Sequence, residues 1–492
     1  MPAATTTGEL VVRVLRDLAR HSPADLERWQ QQVRSLGGCR EPIRLTGSRL
    51  LVDQTTGEVL HAYSTEVEPH GHLLIRCGNR RETRCPACST VYRRDAFHLV
   101  WAGLAGGKTV PDTVQTHPRV FATLTAPSFG PVHLGPDKAG RLRVCHPARK
   151  GLACWRKHKA DDPLIGQPLD PRTYDYVGAV LWNAHAGKLW DRFMTYLRRE
   201  LAKAAGLTLA EFTRRCRVAY AKVAEFQRRG LVHFHAVIRL DGRHPDDPEA
   251  ILPAPAWATV ALLEQAIRAA AARVEVSSPY SETFGVRRLR FGEQLDIRPI
   301  TALGSGDITP ERVAGYVAKY ATKAAEAAGT LDRPIQARHL HRVTAIERTP
   351  DGITARVLEF IDPDRLPPGI TDHALRMIAT CWALGDRPEY ADLHLKRWAH
   401  MLGFRGHFLT KARRYSTTLG ALRAARIEHR EQQTRERLGL PAEDESILVV
   451  AHWSLAGQGF TPGESILAAA LAGDHTPTQP DPSPQEGERA CA

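Results

Sequence analysis

Two hydrophobic periods alternate along this 492-residue chain. A helical period runs through residues 8–36, where Leu10, Val11, Val14, Leu15, Leu18 and Ala19 share one face. Residues 176–205 carry a longer helical stripe of Val180, Leu181, Leu189, Trp190, Phe193 and Leu197, read as core, and residues 257–275 form another amphipathic helix. Between them the period drops to two. Residues 121–125 read as a strand, closed by Ala126-Pro-Ser-Phe-Gly130. Residues 217–226 alternate, Arg228-Arg229-Gly230 turns the chain, and residues 231–240 return, which makes a β-hairpin. Residues 294–300 form a short strand placed at a sheet edge by Pro299, which lacks the N–H a central strand needs. Thr309 and Pro310 open a helix that runs through Tyr316 and Tyr320 and is expected to stop near Gly329.

Outside this mixed α/β region, residues 39–95 look loop-rich and cysteine-bearing. Residues 343–361 suggest a small hairpin, and residues 371–439 a mainly helical, basic region with Arg413, Arg414, Arg423, Arg426, Arg430 and Arg435. The stretch beyond about residue 462 is rich in Pro, Gly and polar residues and is expected to be disordered. There is no internal repeat.

Charge narrows the function. The chain holds 67 Lys and Arg against 54 Asp and Glu, a net charge of +13, and such a field attracts polyanions, nucleic acid first. No apolar run is long enough to span a bilayer and the first residues lack the basic and apolar regions of a signal peptide, so a cytoplasmic protein without membrane contact is expected. In that reducing setting the nine cysteines read as metal ligands or buried thiols rather than disulfides.

The chemistry concentrates in the hairpin. His233 and His235 are two residues apart on one strand, so both imidazoles face the same side while Phe234 and Ala236 face a packed layer. Two converging imidazoles can grip a divalent metal ion. A harder third ligand is expected from the partner strand, where Glu225 and Gln227 share a face. Some 80 residues later the string Tyr316-Val-Ala-Lys319-Tyr320-Ala-Thr-Lys323 puts tyrosines and lysines on one helix. Metal and tyrosine together suit DNA strand transfer, because a phenol is a modest nucleophile and a good leaving group.

The order Phe121-Ala-Thr-Leu-Thr125, His233-Phe-His235, Tyr316-Val-Ala-Lys319-Tyr320 resembles the HUH endonucleases of the rolling-circle replication class. The flanking strings Phe97-His-Leu-Val-Trp-Ala-Gly-Leu-Ala-Gly-Gly107 and Ala179-Val-Leu-Trp-Asn-Ala-His-Ala-Gly-Lys-Leu-Trp190, with residues 403–426, resemble actinobacterial plasmid replication initiators of the RepSA type, over roughly residues 36–430. The resemblance implies a core strand, a metal motif and a nucleophile motif in that order, with Mg2+ or Mn2+ at His233, His235 and Glu225. It implies that Tyr316, and in two-tyrosine initiators also Tyr320, attacks DNA, with Lys319 easing the charge or positioning Tyr316.

Cysteines suggest a second metal. Cys85 and Cys88 form a knuckle pair, Cys77 lies upstream, and Cys39 is the expected fourth ligand of a structural Zn2+ site. Cys145, His146, Cys154 and His158 could form another. The resembling family sometimes adds a Cys-x-x-Cys near Leu169, where this chain reads Asp170-Pro-Arg-Thr173. Cys216, Cys381 and Cys491 look unpaired, the first two as buried small residues. The stretch Gly103-Leu-Ala-Gly106-Gly107-Lys108-Thr109 mimics a phosphate-binding loop but has Ala102 where that motif needs its first glycine, so it reads as an ordinary loop and no ATPase activity is expected.

The expected fold class is α+β. It comprises an antiparallel-sheet HUH core of the RRM or palm kind with helices, an N-terminal zinc-binding module and a basic helical C-terminal region. The expected division is 1–110 for the N-terminal helix and zinc module, 111–345 for the nicking domain, 346–460 for the hairpin and basic helices, and 461–492 for the tail. The expected function is a rolling-circle plasmid initiator that nicks and rejoins origin DNA through a 5′-phosphotyrosine. Arg93, Arg94, Lys323, Arg413 and Arg414 are candidate DNA contacts, and host helicase and DNA polymerase are expected partners. The alternatives are an HUH-type transposase and a zinc-containing DNA-binding regulator with an inactive nuclease site.

Overall fold

The computed structural model describes residues 22–137, 139–300, 308–323, 328–331, 333–349, 352–438 and 447–460, with 464, 465, 468 and 471. The chain divides into two compact units, one from the described residues of 1–95 and 418–483, the other from those of 96–417. The architecture is mixed α+β with antiparallel sheets.

The first unit opens with the helix Pro23–Ser35. Ser22 caps it by accepting from the Asp25 N–H while the Asp25 carboxylate accepts from the Ser22 N–H, and Pro23 occupies the first turn. This reciprocal cap starts a helix inside the stretch expected at 8–36. Leu10 through Ala19 lie outside the described residues. The stretch expected to be loop-rich instead builds a four-stranded sheet. Ile43–Asp53 pairs with Val59–Ser64, with Leu73–Ile75 and with Ile447–Gln458, all antiparallel. Every residue of Ile43–Asp53 is half-buried, so no apolar-polar alternation marked the strand in the sequence. The pairing also joins residues 447–458 to the N-terminal module, a sharing that the linear boundaries at 111 and 346 do not capture. Trp29, Val33, Leu36 and Leu74 form a small core with Cys39, Cys85 and Cys88. Ala468 is buried in it and Leu471 packs against it, both within the tail expected from 461; apart from 464 and 465 the rest of that tail, Cys491 included, lies outside the described residues.

The second unit is built on a five-stranded antiparallel sheet in the order Leu409–Lys411, Cys216–Phe226, Val232–Gly242, Arg119–Leu124, Leu295–Pro299. Pro299 sits on the edge strand, as its missing N–H requires. The other edge, Leu409–Lys411, comes from the region expected to be mainly helical; three residues are too few to show a period. One face of the sheet packs against the helices Tyr176–Ala204 and Val260–Arg273. Phe234 meets Trp190 there, at 5.6 Å between ring centres, and Val120, Ala122, Ala236 and Ile238 join the same core. The helix Pro310–Ala321 packs against the Cys216–Phe226 strand, with its Thr309 cap accepting from the Arg312 N–H. It ends at Ala321 rather than near Gly329: the Thr322 hydroxyl bonds back to the Lys319 carbonyl and closes the last turn. The hairpin Leu340–Thr349 with Gly352–Ile361 and the helix Asp372–Leu384 follow.

Candidate functional site

Cross-strand register assembles the site. Glu225 lies opposite His233, and Thr123 lies opposite His235. Because strand side chains alternate, the same pairing that sends Phe234 into the core sends Glu225, His233 and His235 to the opposite face. Glu225 Oε2 is 3.0 Å from His233 Nε2 and 2.8 Å from His235 Nε2, and the two Nε2 atoms are 3.1 Å apart. The Oε1 of Gln227, the other expected ligand, accepts from Arg229 Nε at 2.8 Å.

The three donors fit one octahedral ion. Ligands at right angles about 2.1 Å from a centre are about 3.0 Å from one another. The observed edges of 2.8, 3.0 and 3.1 Å match that spacing. A tetrahedral ion with similar bonds would need edges of about 3.4 Å. Burial raises the Glu225 carboxyl, but the hydrogen bonds from His233 and His235 outweigh it and lower the group to about 2, so the carboxylate is ionised. Burial, then the charge of His233, lowers His235 to about 4, which leaves the imidazole neutral and able to act as a ligand.

Tyr316 completes the group. Its hydroxyl is 3.0 Å from His235 Nε2 and 3.3 Å from Glu225 Oε2. Tyr320, one turn on, has its ring 4.6 Å from the Tyr316 ring and 6.1 Å from the His235 ring. Lys323 Nζ lies 5.2 Å and Lys319 Nζ 6.0 Å from the Tyr320 ring centre. The histidines, Glu225, both tyrosines and both lysines therefore gather at one place.

Several neighbours hold this constellation that the sequence did not single out. Thr123 Oγ1 lies 3.0 Å from His235 Nδ1. Were Nδ1–H to donate there, Nε2 would turn a lone pair rather than an N–H toward Glu225 and Tyr316, the state a bound ion requires. Phe121 stacks on the His235 ring at 5.7 Å and 6°. The turn joining the strands of Glu225 and His233 is braced from three sides. Arg229 donates to the carbonyls of Ala126 and Pro127, each at 2.8 Å. Asn183, fully buried, donates to the Gly230 carbonyl and accepts from the Val232 N–H. His373 Nε2 is 2.9 Å from the Arg229 carbonyl. Gly230 sits in this turn with φ +73°, where a side chain would be strained.

The cysteines cluster as well. The sulfurs of Cys39, Cys77, Cys85 and Cys88 lie within 4.8 Å of one another. The Cys77 N–H points at Cys39 Sγ (3.4 Å) and the Asn79 N–H at Cys77 Sγ (3.5 Å), contacts that favour thiolates. A hydrogen bond from Cys88, against burial, lowers Cys39 to about 5, while burial raises Cys77 to about 11 and the bond to Cys39, with burial, raises Cys88. Four such thiols fit a closed tetrahedral zinc site. In the second group the structure brings Cys145, Cys154 and His158 together with His133, which replaces His146 as the fourth member. His146 bridges Cys154 through its backbone, and its Nδ1 lies 3.1 Å from Cys145 Sγ, but it is not one of the four residues whose donor atoms all lie within 4.8 Å of one another. Cys216 and Cys381 are buried.

The expected DNA contacts are dispersed. Lys323 stands beside the tyrosines. Arg413 is exposed, while Arg414 is engaged by Glu249. In the first unit Arg94 is exposed and Arg93 half-buried, and in the same unit Arg426 pairs with the buried Asp95 at 2.8 Å. Of the glycine-rich stretch, Gly103, Leu104 and Ala105 are the last residues of the helix Pro86–Ala105 and 106–109 lead away from its C-terminal end. A phosphate loop leads into a helix N-terminus instead, so the loop reading fits.

The family described as replication initiator protein, pSAM2 (RepSA), matches residues 25–473 of this chain. A replication initiator protein of Streptomyces ambofaciens is 51% identical over 465 residues, covering 93% of this chain and 92% of the relative. The chain belongs to this replication-initiator family. No solved structure matches it. Among the described residues no helix is long and apolar enough to cross a membrane.

Proposed function

We propose that the protein initiates rolling-circle replication of a plasmid by nicking and rejoining origin DNA at the Glu225, His233, His235 and Tyr316 site. The single observation that carries this is the placement of the Tyr316 hydroxyl 3.0 Å from His235 Nε2, against a donor set spaced for an octahedral ion. Mg2+ or Mn2+ bound by Glu225, His233 and His235 would polarise the scissile phosphate. The HUH-type nuclease core is part of the same reading, supported by the antiparallel sheet, the histidine strand and the order of the motifs.

Tyr316 Oη attacks phosphorus in line. The bond from phosphorus to the upstream 3′-oxygen breaks, and a 5′-phosphotyrosine forms. The phenolic proton passes to solvent water as the new bond forms, and solvent returns one proton to the departing 3′-oxygen, which becomes a hydroxyl. That hydroxyl primes a host polymerase, with a host helicase opening the duplex. Thr123 keeps His235 in the orientation that frees Nε2, and the Arg229 and Asn183 contacts hold the two ligand strands in register. Lys319 and Lys323 supply positive charge beside both tyrosines, where phosphate must sit. Tyr320 stands close enough to serve a second transfer that closes the circle. The four-cysteine cluster of the first unit would hold a structural Zn2+ ion.

The test is nicking of supercoiled plasmid carrying the origin. Conversion to open circles with Mn2+, lost with EDTA and in His233→Ala and His235→Ala, supports the reading. Undiminished nicking in both variants rejects it.

A further inference from the structure

Among the described residues from 131 to 169 there is no helix or extended strand, only the isolated bridges Val132 with Pro168 and His146 with Cys154. Among the described residues between Ala126 and Tyr174, no buried side chain joins the main hydrophobic core; only Phe129 and Val132 lean against it. So long an irregular excursion needs some other fastening. Its described interior instead presents His133, Cys145, Cys154 and His158, whose donor atoms all lie within 4.8 Å of one another.

We infer that these four residues form a second structural zinc site, distinct from the four-cysteine cluster, and that it braces the turn of the hairpin bearing Glu225 and His233. Bonds of about 2.0 Å to nitrogen and about 2.3 Å to sulfur, arranged tetrahedrally, put two nitrogens about 3.3 Å apart and nitrogen and sulfur about 3.5 Å apart. His133 Nδ1 is 3.2 Å from His158 Nε2, Cys154 Sγ is 3.5 Å from His158 Nε2, and Cys145 Sγ is 3.8 Å from His133 Nδ1. Two thiolates and two imidazoles suit zinc and leave the site without net charge. The surroundings match a ligand shell. The second nitrogen of His158, Nδ1, is 2.7 Å from Asp162 Oδ2, which fixes the tautomer with Nε2 free. The Leu134 N–H points at Cys145 Sγ at 3.1 Å. His158 and Cys145 are buried.

The link to the hairpin is direct. The Gly166 N–H donates to the His133 carbonyl at 2.9 Å, and the His133 N–H donates to the Gln167 carbonyl at 2.8 Å. Gly166, at φ +87°, packs so closely on Arg228 that a Cβ there would lie 2.6 Å from its backbone carbon. Arg228 is in the turn between the ligand strands. A metal that fixes His133 therefore fixes the strut against that turn. The inference rests on donor geometry alone and stands apart from the nicking reading.

The experiment is zinc analysis of the purified full chain with cysteine alkylation mapped by mass spectrometry. Cys145→Ser and His133→Ala are each expected to lose one equivalent of zinc relative to wild type, and His146→Ala none. In unmodified protein, Cys154 is expected to resist alkylation until a chelator is added and then to react together with Cys145, a readout that needs no variant to fold. Unchanged zinc in Cys145→Ser, loss in His146→Ala but not in His133→Ala, or free alkylation of Cys154 without chelator overturns the inference.

Discussion

The hydroxyl of Tyr316 lies 3.0 Å from Nε2 of His235, although 81 residues separate them in the chain. The contact ties the helix Pro310–Ala321 to the strand Val232–Gly242. It also distinguishes the two tyrosines: the Tyr316 ring is 4.8 Å from the His235 ring and the Tyr320 ring 6.1 Å.

That distinction predicts separable defects. Tyr316→Phe should abolish the first cleavage of an origin oligonucleotide, a loss of at least about a thousandfold given that the nucleophile is gone. Tyr320→Phe should retain first cleavage within about tenfold and lose the second transfer. Gel assays with two differently labelled oligonucleotides, scoring cut and recombinant products, read both steps.

Thr123 predicts a positioning effect. Removing the hydroxyl in Thr123→Val frees the His235 ring to rotate, and loss of such an outer contact typically weakens metal binding by about 10-fold to 100-fold. Calorimetric titration with Mn2+ measures this directly. Melting temperature should change little, since the side chain is of similar volume. Unaltered Mn2+ affinity would show that Phe121 alone orients the ring.

Glu225 and Gln227 separate the same way. Glu225→Ala should eliminate Mn2+ binding. Gln227→Ala should keep it, with a modest loss of stability from the contact to Arg229. Equal effects in the same titration would show that the carboxylate has no special role.

On the opposite face of the sheet, Lys222 is almost fully buried, its Nζ 4.2 Å from the Phe234 ring centre and 5.2 Å from that of Trp190. Burial, only partly countered by Asp191, lowers it from 10.5 to about 8. Such a depression costs about 3 kcal/mol when the lysine is charged, and the ring contacts return about 1 kcal/mol of it. The unfolded chain holds this proton more tightly, so stability should rise as pH climbs from about 8 toward 10.5. Lys222→Met should therefore be more stable by about 2 kcal/mol at pH 7 and should lose the rise above pH 8. Urea melts at pH 7 and pH 10 measure both.

The site was legible in the sequence where chemistry follows from local period. His233 and His235 on one strand, and Tyr316 and Tyr320 on one helix, are consequences of the two repeats, and the hairpin turn set Glu225 opposite His233. What stayed hidden depends on long-range packing. Thr123 acts through a neighbouring strand, and its place opposite His235 requires the sheet order. Asn183 braces the turn from the middle of a helix whose pattern says only that the face is buried. His133 lies 12 residues before Cys145, outside the short spacings that mark metal ligands, whereas His146 sits beside a cysteine and drew the reading to itself. The first sheet was missed because its central strand is half-exposed on both faces, and its C-terminal partner arrives from beyond residue 446.

The most direct measurement is mass spectrometry of the covalent product formed by wild-type protein with a single-stranded origin oligonucleotide and Mn2+. We expect one DNA-linked peptide after the first cleavage, with the nucleotide on Tyr316 and its formation abolished by His235→Ala. An adduct on a residue outside the helix Pro310–Ala321, or one that forms equally well in His235→Ala, would contradict the assignment.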